Sequence, residues 1–138
     1  MRARAVIAAF ALLGAIGGAA LASGNARRVV GNCLKSQVRP RTITIACADG
    51  NLVLAHVQWS SFGGPSARAR ATYYVNDCKP YCAAGKFHSY PIKLVLSGAK
   101  PCPDGKDDYR LATVHFTAKR PPGSGASAAL PLFCSLKG

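Results

Sequence analysis

The residues best suited to chemistry concentrate around Cys78 and Cys82, which stand four positions apart and are followed by His88. Short cysteine spacings with a histidine nearby are typical of zinc sites. No second close pair of cysteines or histidines completes a set of four ligands, and exported thiols are usually oxidised. We therefore expect a disulfide here, and we predict neither a metal site nor a cofactor.

A hydrolytic triad could be drawn from His88, Asp77 and Ser89, but the sequence has no Gly-x-Ser-x-Gly elbow to present a serine nucleophile. Glycosidases need two carboxylates across a cleft, and this chain contains five acidic residues, all of them Asp. We assign no catalytic residue and predict that the protein is not an enzyme.

The other titratable residues have structural explanations. Asp49 opens a turn sequence, where its carboxylate can accept a hydrogen bond from the backbone two residues later. Asp107 and Asp108 are expected to be solvated on a long loop. His56 and His115 fall on predicted strands, where a histidine is more often packed or exposed than catalytic.

The basic residues give a more coherent signal. Arg68 and Arg70 alternate with alanines, so both should project from one face of a strand. Basic and aromatic side chains on one sheet face can bind anions or stack on sugar rings, although two arginines can also simply mark a solvated face. The predicted anion-binding set is Arg68, Arg70, Tyr74, Lys79, Lys86 and Lys93.

The first residues have the pattern of an export signal. Arg2 and Arg4 form a positive n-region, a run rich in Ala and Gly follows, and the residues up to Ala22 fit a small-x-small cleavage rule. An uncleaved membrane anchor is the alternative, because the apolar run is close to the shortest spanning length. The predicted organisation is a signal peptide at 1–22, a flexible basic tail at 23–32 and one disulfide-linked β domain at 33–138.

The net charge narrows the class of partner. Loss of Arg2 and Arg4 with the signal reduces the formal net charge of the 138-residue chain from +13 to +11. Such a surface attracts polyanions. Because export argues against genomic nucleic acid, we expect an anionic cell-wall polymer, a polysaccharide or lipid headgroups as the partner. A basic surface that serves solubility alone is the alternative.

All six cysteines follow the predicted signal, and an even number in a short exported chain indicates disulfides. Six cysteines allow 15 sets of pairs. Proximity in sequence favours Cys33–Cys47, Cys78–Cys82 and Cys102–Cys134.

Period-two alternation and turn residues predict an all-β fold: a small antiparallel sandwich or barrel of five to six strands. In the second strand, alternation puts Val57 and Trp59 on one face and Leu54 and His56 on the other. The alanines beside Arg68 suggest close approach of the facing sheet or of a bulky residue such as Trp59. The predicted strands are 42–47, 52–59, 67–75, 87–97, 109–119 and a Pro-interrupted edge strand at 128–136.

Three segments together resemble small secreted proteins of actinobacteria. They are Ile45 to Asn51 (IACADGN), Trp59 to Gly63 (WSSFG) and Asn76 to Phe87 (NDCKPYCAAGKF). The resemblance covers most of residues 33–97 and implies an exported all-β domain with no assigned activity or catalytic residues. Phe62 stands where a second tryptophan would be expected.

These features together predict a secreted, non-catalytic binding domain for anionic cell-envelope or extracellular polymers. Two alternatives remain. One is a secreted or envelope hydrolase, and the other is an exported inhibitor that presents a disulfide-rigid loop at 61–66 to another protein.

Overall fold

A computed structural model describes residues 28–136, and every regular element in this range is a β-strand. The predicted signal peptide and positions 23–27 lie outside the described residues. The ten strands are β1 (Arg28–Asn32), β2 (Lys35–Gln37), β3 (Ile43–Thr44), β4 (Leu52–Ser61), β5 (Ala67–Asn76), β6 (Phe87–Ser97), β7 (Lys100–Pro101), β8 (Asp107–Asp108), β9 (Leu111–Phe116) and β10 (Ser127–Pro131).

The strands form two sheets. Six antiparallel strands form the large sheet, in the order β10-β9-β6-β5-β4-β3, and this sheet curls into a half-barrel. Four short strands form the small sheet, in the order β2-β1-β8-β7, where β1 and β8 run parallel. The prediction of a small all-β domain with disulfides is confirmed.

The six predicted strands correspond to the six strands of the large sheet. The bounds of β6 agree with the prediction, while β3 is only two residues long. It ends early because the backbone N–H groups of Ile45 and Ala46 both bond to the carbonyl of Leu52 as the chain turns. The small sheet was not predicted, because its strands are short and because the pairing of β1 with β8, which joins its two local hairpins, links segments distant in sequence.

The predicted flexible tail at 23–32 is wrong for its last five residues. Residues 28–32 form β1, where Val29 and Val30 are fully buried. β1 pairs with β2 on one side and with β8 on the other. The basic composition suggested a mobile segment, but the free energy gained by burying two valines holds it in the fold.

The predicted solvated loop that contains Asp107 and Asp108 is also wrong. Both residues belong to β8, and Asp108 is completely buried. One carboxylate oxygen of Asp108 accepts hydrogen bonds from the backbone N–H and the hydroxyl of Ser135, at 2.6 and 2.7 Å. Asp108 therefore holds the C-terminal segment against the small sheet.

The hydrophobic core lies on the inner face of the large sheet. Ile92, Leu94 and Leu96 alternate along β6 and are buried there. The core also takes Val30 from β1 and the aromatic ring of Tyr109. Trp59 lies directly opposite Ala69, which explains the need for small residues on β5.

A β-bulge in β4 changes which residues face the core. Ala55 pairs with Thr72 and Gln58 with Arg70, so two residues of β4 oppose one residue of β5. Leu54 and Val57 are consequently both buried. The predicted alternation, which put these two side chains on opposite faces, is wrong at this point because a bulge shifts the period by one residue.

The three disulfides join Cys33 to Cys47, Cys78 to Cys82 and Cys102 to Cys134, the same pairs that sequence proximity favours. The first links the β1–β2 turn to the segment after β3, and the third links the segment after β7 to the one after β10. These two bonds therefore tie the small sheet to the large one. Three disulfides indicate an oxidising environment.

Candidate functional site

The register of the large sheet places five polar side chains in one line across five strands. Gln58 pairs with Arg70, Arg70 with Lys93, Lys93 with His115, and His115 with Ser127. Directly opposed residues on antiparallel strands share a face, with their Cβ atoms about 4.5–5.5 Å apart. We call these five residues the transverse row.

The transverse row lies on the outer, solvent-facing side of the sheet. All five of its residues are exposed, whereas the neighbours of Lys93 in sequence, Ile92 and Leu94, are buried on the inner face. Arg68 lies one pair further along β5, opposite Val95. A shallow groove of ≈ 530 Å³ on this surface is lined by residues that include Arg68, Arg70, Lys93 and His115.

The positive charge of this surface is not neutralised within the described part of the chain. The ion pairs found there join His88 to Asp77 and Lys106 to Asp104, and neither includes a residue of the transverse row. Arg70 and Lys93 are instead directly opposite each other. Like charges in this arrangement repel each other and attract anions.

Three members of the row were not among the predicted site residues: Gln58, His115 and Ser127. Nδ1 of His115 lies 2.6 Å from the hydroxyl oxygen of Ser127, which orients the imidazole beside Lys93. Strand alternation gives the face of each residue but not which strands are neighbours. The β6–β9 pairing was needed to bring His115 to the basic residues.

The predicted anion-binding residues separate into three places. Arg68, Arg70 and Lys93 lie together, as described above. Tyr74 is on the same face of β5 but four residues from Arg70, or roughly 13 Å along the strand. Its ring stacks on Phe87, with centroids 5.0 Å apart, so one face of the Tyr74 ring is occupied.

Lys79 and Lys86 belong to a separate corner closed by the Cys78–Cys82 disulfide. Their backbone N–H groups both donate to one carboxylate oxygen of Asp77, at 3.1 and 2.9 Å. The structure therefore does not place these two lysines in the transverse row.

Asp77 is the centre of this corner. Its second carboxylate oxygen lies 2.9 Å from Nε2 of His88. The hydrogen bond with His88, followed by those from the backbone of Lys86 and Lys79, lowers the pKa of Asp77 to about 2. The carboxylate thus stays ionised and holds the chain in place down to strongly acidic conditions.

The hydrolytic triad is not assembled. His88 and Asp77 are in contact, but Ser89 follows His88 directly in β6 and therefore points to the opposite face of the sheet. Both cysteines of the corner are in a disulfide, so neither can ligate a metal as a thiolate. No three His, Cys, Asp or Glu side chains between residues 28 and 136 are grouped as metal ligands.

The loop at 61–66 is anchored from inside the protein. The Tyr109 hydroxyl accepts a hydrogen bond from the Gly63 N–H and donates one to the Gly64 carbonyl, at 3.1 and 2.7 Å. Phe62 packs edge-on against Trp59, with ring centroids 4.9 Å apart, so an aromatic pair forms without a second tryptophan. This loop was expected to be made rigid by a disulfide. That expectation is wrong, because none of the three disulfides includes or flanks residues 61–66.

No protein-family model, curated protein or solved structure matches this chain. Within residues 28–136, the structure has no helix of the length and apolarity needed to cross a membrane. The function is therefore inferred from the charge and position of the residues in the transverse row and its groove.

Proposed function

We propose that the protein is a secreted, non-catalytic binding domain whose transverse row and Arg68 bind an anionic polymer of the cell envelope or the extracellular space. The observation that carries the proposal is the pairing of Arg70 with Lys93, with no carboxylate at salt-bridge distance among the described residues. A linear polyanion lying across the strands would meet Arg70, Lys93 and His115 at successive strand spacings of about 4.8 Å.

Several features of the chain support this proposal. The three disulfides suit an oxidising compartment. A long, shallow surface suits a polymer better than a small molecule, which needs a concave pocket to bury most of its surface. Guanidinium groups bind carboxylate, phosphate and sulfate groups through paired N–H donors.

The decisive experiment compares two double variants with the same loss of charge. Arg68→Ala plus Arg70→Ala removes two cations from the candidate groove. Lys35→Ala plus Lys100→Ala removes two exposed cations from β2 and β7 of the small sheet. Calorimetric titration with heparin, a soluble polyanion, measures the affinity of each.

We expect the first variant to lose most of its heparin affinity and the second to retain it. Binding by the unmodified protein should also weaken steeply between about 0.1 and 1 M NaCl, since the screening length falls from about 10 to about 3 Å. Equal affinities of the two variants, or binding that salt does not weaken, would contradict the proposal.

A further inference from the structure

The bulge in β4 produces a second polar site beside the transverse row. Within the bulge, His56 adopts a left-handed backbone conformation with φ = 52°. Val57 turns into the core, and its N–H donates to the carbonyl of Arg41 at 2.9 Å. This bond draws the segment before β3 against the bulge and places Arg41 next to His56.

The bulge and this segment enclose a pocket of ≈ 390 Å³, lined by Arg41, Thr42, His56, Val57 and Gln58. The lining brings together a guanidinium, an imidazole, a carboxamide and a hydroxyl, all of which can donate hydrogen bonds. No acidic residue lines it, and neither Arg41 nor His56 forms an ion pair within the described chain. We call this the bulge pocket.

The unusual backbone conformation of His56 indicates that the bulge serves to position its side chain. A left-handed conformation is uncommon for residues other than glycine, and bulges often re-aim a side chain next to a site. Here the outcome is an exposed imidazole beside an exposed guanidinium. Several donor side chains in one lining, without a carboxylate among them, suit an oxyanion with several acceptor oxygens.

We propose that the bulge pocket binds a tetrahedral oxyanion, phosphate or sulfate, with Arg41 as the principal ligand and His56 and Gln58 as additional donors. Gln58 also lines the groove of the transverse row. The two sites therefore adjoin, and a polymer bearing such groups would extend from the bulge pocket across the sheet. This extension, unlike the pocket itself, rests on the proposed function.

The test titrates the protein with inorganic phosphate, and separately with sulfate, and follows by NMR the imidazole signals of His56 and the backbone amide signal of Gln58, which also reports on variants that lack His56. We expect a saturable shift. Arg41→Ala should weaken phosphate binding about tenfold or more, the usual effect of removing a charge-assisted hydrogen bond. His56→Asn should weaken it less, and asparagine tolerates the left-handed backbone, so the bulge is preserved.

The variant Lys35→Ala plus Lys100→Ala, which loses two exposed cations of the small sheet, serves as the control. It should leave phosphate affinity unchanged within about twofold, because both residues lie outside the lining of the bulge pocket. A shift that does not saturate with phosphate, or one that persists in the Arg41→Ala protein, would contradict phosphate binding in the bulge pocket. Heparin binding that is lost in the Arg68→Ala plus Arg70→Ala protein would still support the proposed function, so the two failures are distinguishable.

Polyphosphate then separates a free ion from a polymer-borne group. Tighter binding than inorganic phosphate, with dependence on both Arg41 and Lys93, supports a polymer that spans both sites. Equal affinities for polyphosphate and phosphate would overturn the extension and leave a pocket for the free ion.

Discussion

Arg70 and Lys93 occupy positions that a purely structural surface would fill differently. Each is exposed, each faces the other across neighbouring strands, and the described chain supplies no acidic side chain to separate them. Repulsion between directly opposed like charges destabilises a sheet. Because such a pair costs stability but favours the binding of anions, we attribute its presence to anion binding.

This arrangement predicts opposite effects of one substitution on stability and on binding. Lys93→Glu places a carboxylate opposite Arg70, and we expect the free energy of unfolding to rise by about 0.2–1 kcal/mol, as for an opposite-charge pair on a sheet. Heparin affinity should fall at the same time. Urea unfolding and calorimetry measure the two effects, and a loss of stability in this variant would contradict our description of the row.

The lowered pKa of Asp77 predicts how the stability of the protein changes in acid. Its pKa of about 2 in the folded protein lies below the ordinary value of 3.8. A depressed pKa adds stability that is fully present above the unfolded value and is lost as the pH falls through the folded one. The free energy of unfolding should therefore decrease between about pH 4 and pH 2.

Asp77→Asn should flatten this part of the stability–pH curve, as measured by urea unfolding at a series of pH values. Some slope should remain, because hydrogen bonds from the backbone and side chain of Asn51 also lower the pKa of Asp49. A curve of unchanged slope in the Asp77→Asn protein would contradict the role assigned to this carboxylate.

Two aspartates show which residue roles can be predicted from sequence. The bond from the Asn51 N–H to the Asp49 carboxylate, 3.1 Å long, was predicted because it spans two residues. Asp108 bonds to Ser135, 27 residues away, and no local pattern indicates that contact. Sequence reasoning found the turn and missed the buried carboxylate for this reason.

Among the strands, β6 followed the sequence pattern and β4 did not. The alternation of Ile92, Leu94 and Leu96 continues without a break, so the face of every residue in β6 could be predicted. In β4 the bulge at His56 reverses the pattern. The bulge pocket depends on that interruption, so it could not have been predicted from alternation alone.

The Cys78–Cys82 corner depends on a close approach at Gly85. A Cβ atom at this position would collide with the side-chain oxygen of Asn76 and would lie 2.8 Å from the backbone nitrogen of Cys78. The Asn76 amide is itself engaged, because it donates to Asn51 and to the carbonyl of Cys82. The corner thus has no room to relax.

Gly85→Ala should therefore lower the free energy of unfolding by about 1–3 kcal/mol, the usual cost of overpacking. Gly64→Ala is the matched control, because its nearest neighbour would be the Ser66 carbonyl oxygen at 3.5 Å, an ordinary contact. Urea unfolding measures both variants. Equal stabilities of the two would show that the corner is looser than described.

For the molecule as a whole, the disulfides connect two sheets of unequal size. Cys33–Cys47 and Cys102–Cys134 each join the small sheet to the large one, whereas Cys78–Cys82 closes a corner at the end of β5. Sequence patterns predicted the six strands of the large sheet, four of which are six to eleven residues long. They missed the small sheet, because its strands are short and the β1–β8 pairing that joins its two hairpins links distant segments.

The loss of stability on removing one disulfide should increase with the size of the loop that the disulfide closes. The chain-entropy relation gives a loss of about 4 kcal/mol for Cys102→Ala plus Cys134→Ala, about 3 for the Cys33–Cys47 pair and about 2 for the Cys78–Cys82 pair. Urea unfolding of the three double variants tests this order. A larger loss for Cys78–Cys82 than for Cys102–Cys134 would contradict it.

The central claim is that the outer face of the large sheet binds an anionic polymer through the transverse row. Its most direct test is to map, by NMR, the backbone amide shifts of the ¹⁵N-labelled protein during titration with a short heparin fragment. We predict that the largest shifts fall at Arg70, Lys93 and His115 and weaken with added salt. Shifts centred on Lys79 and Lys86, or spread evenly over all basic residues, would contradict the claim.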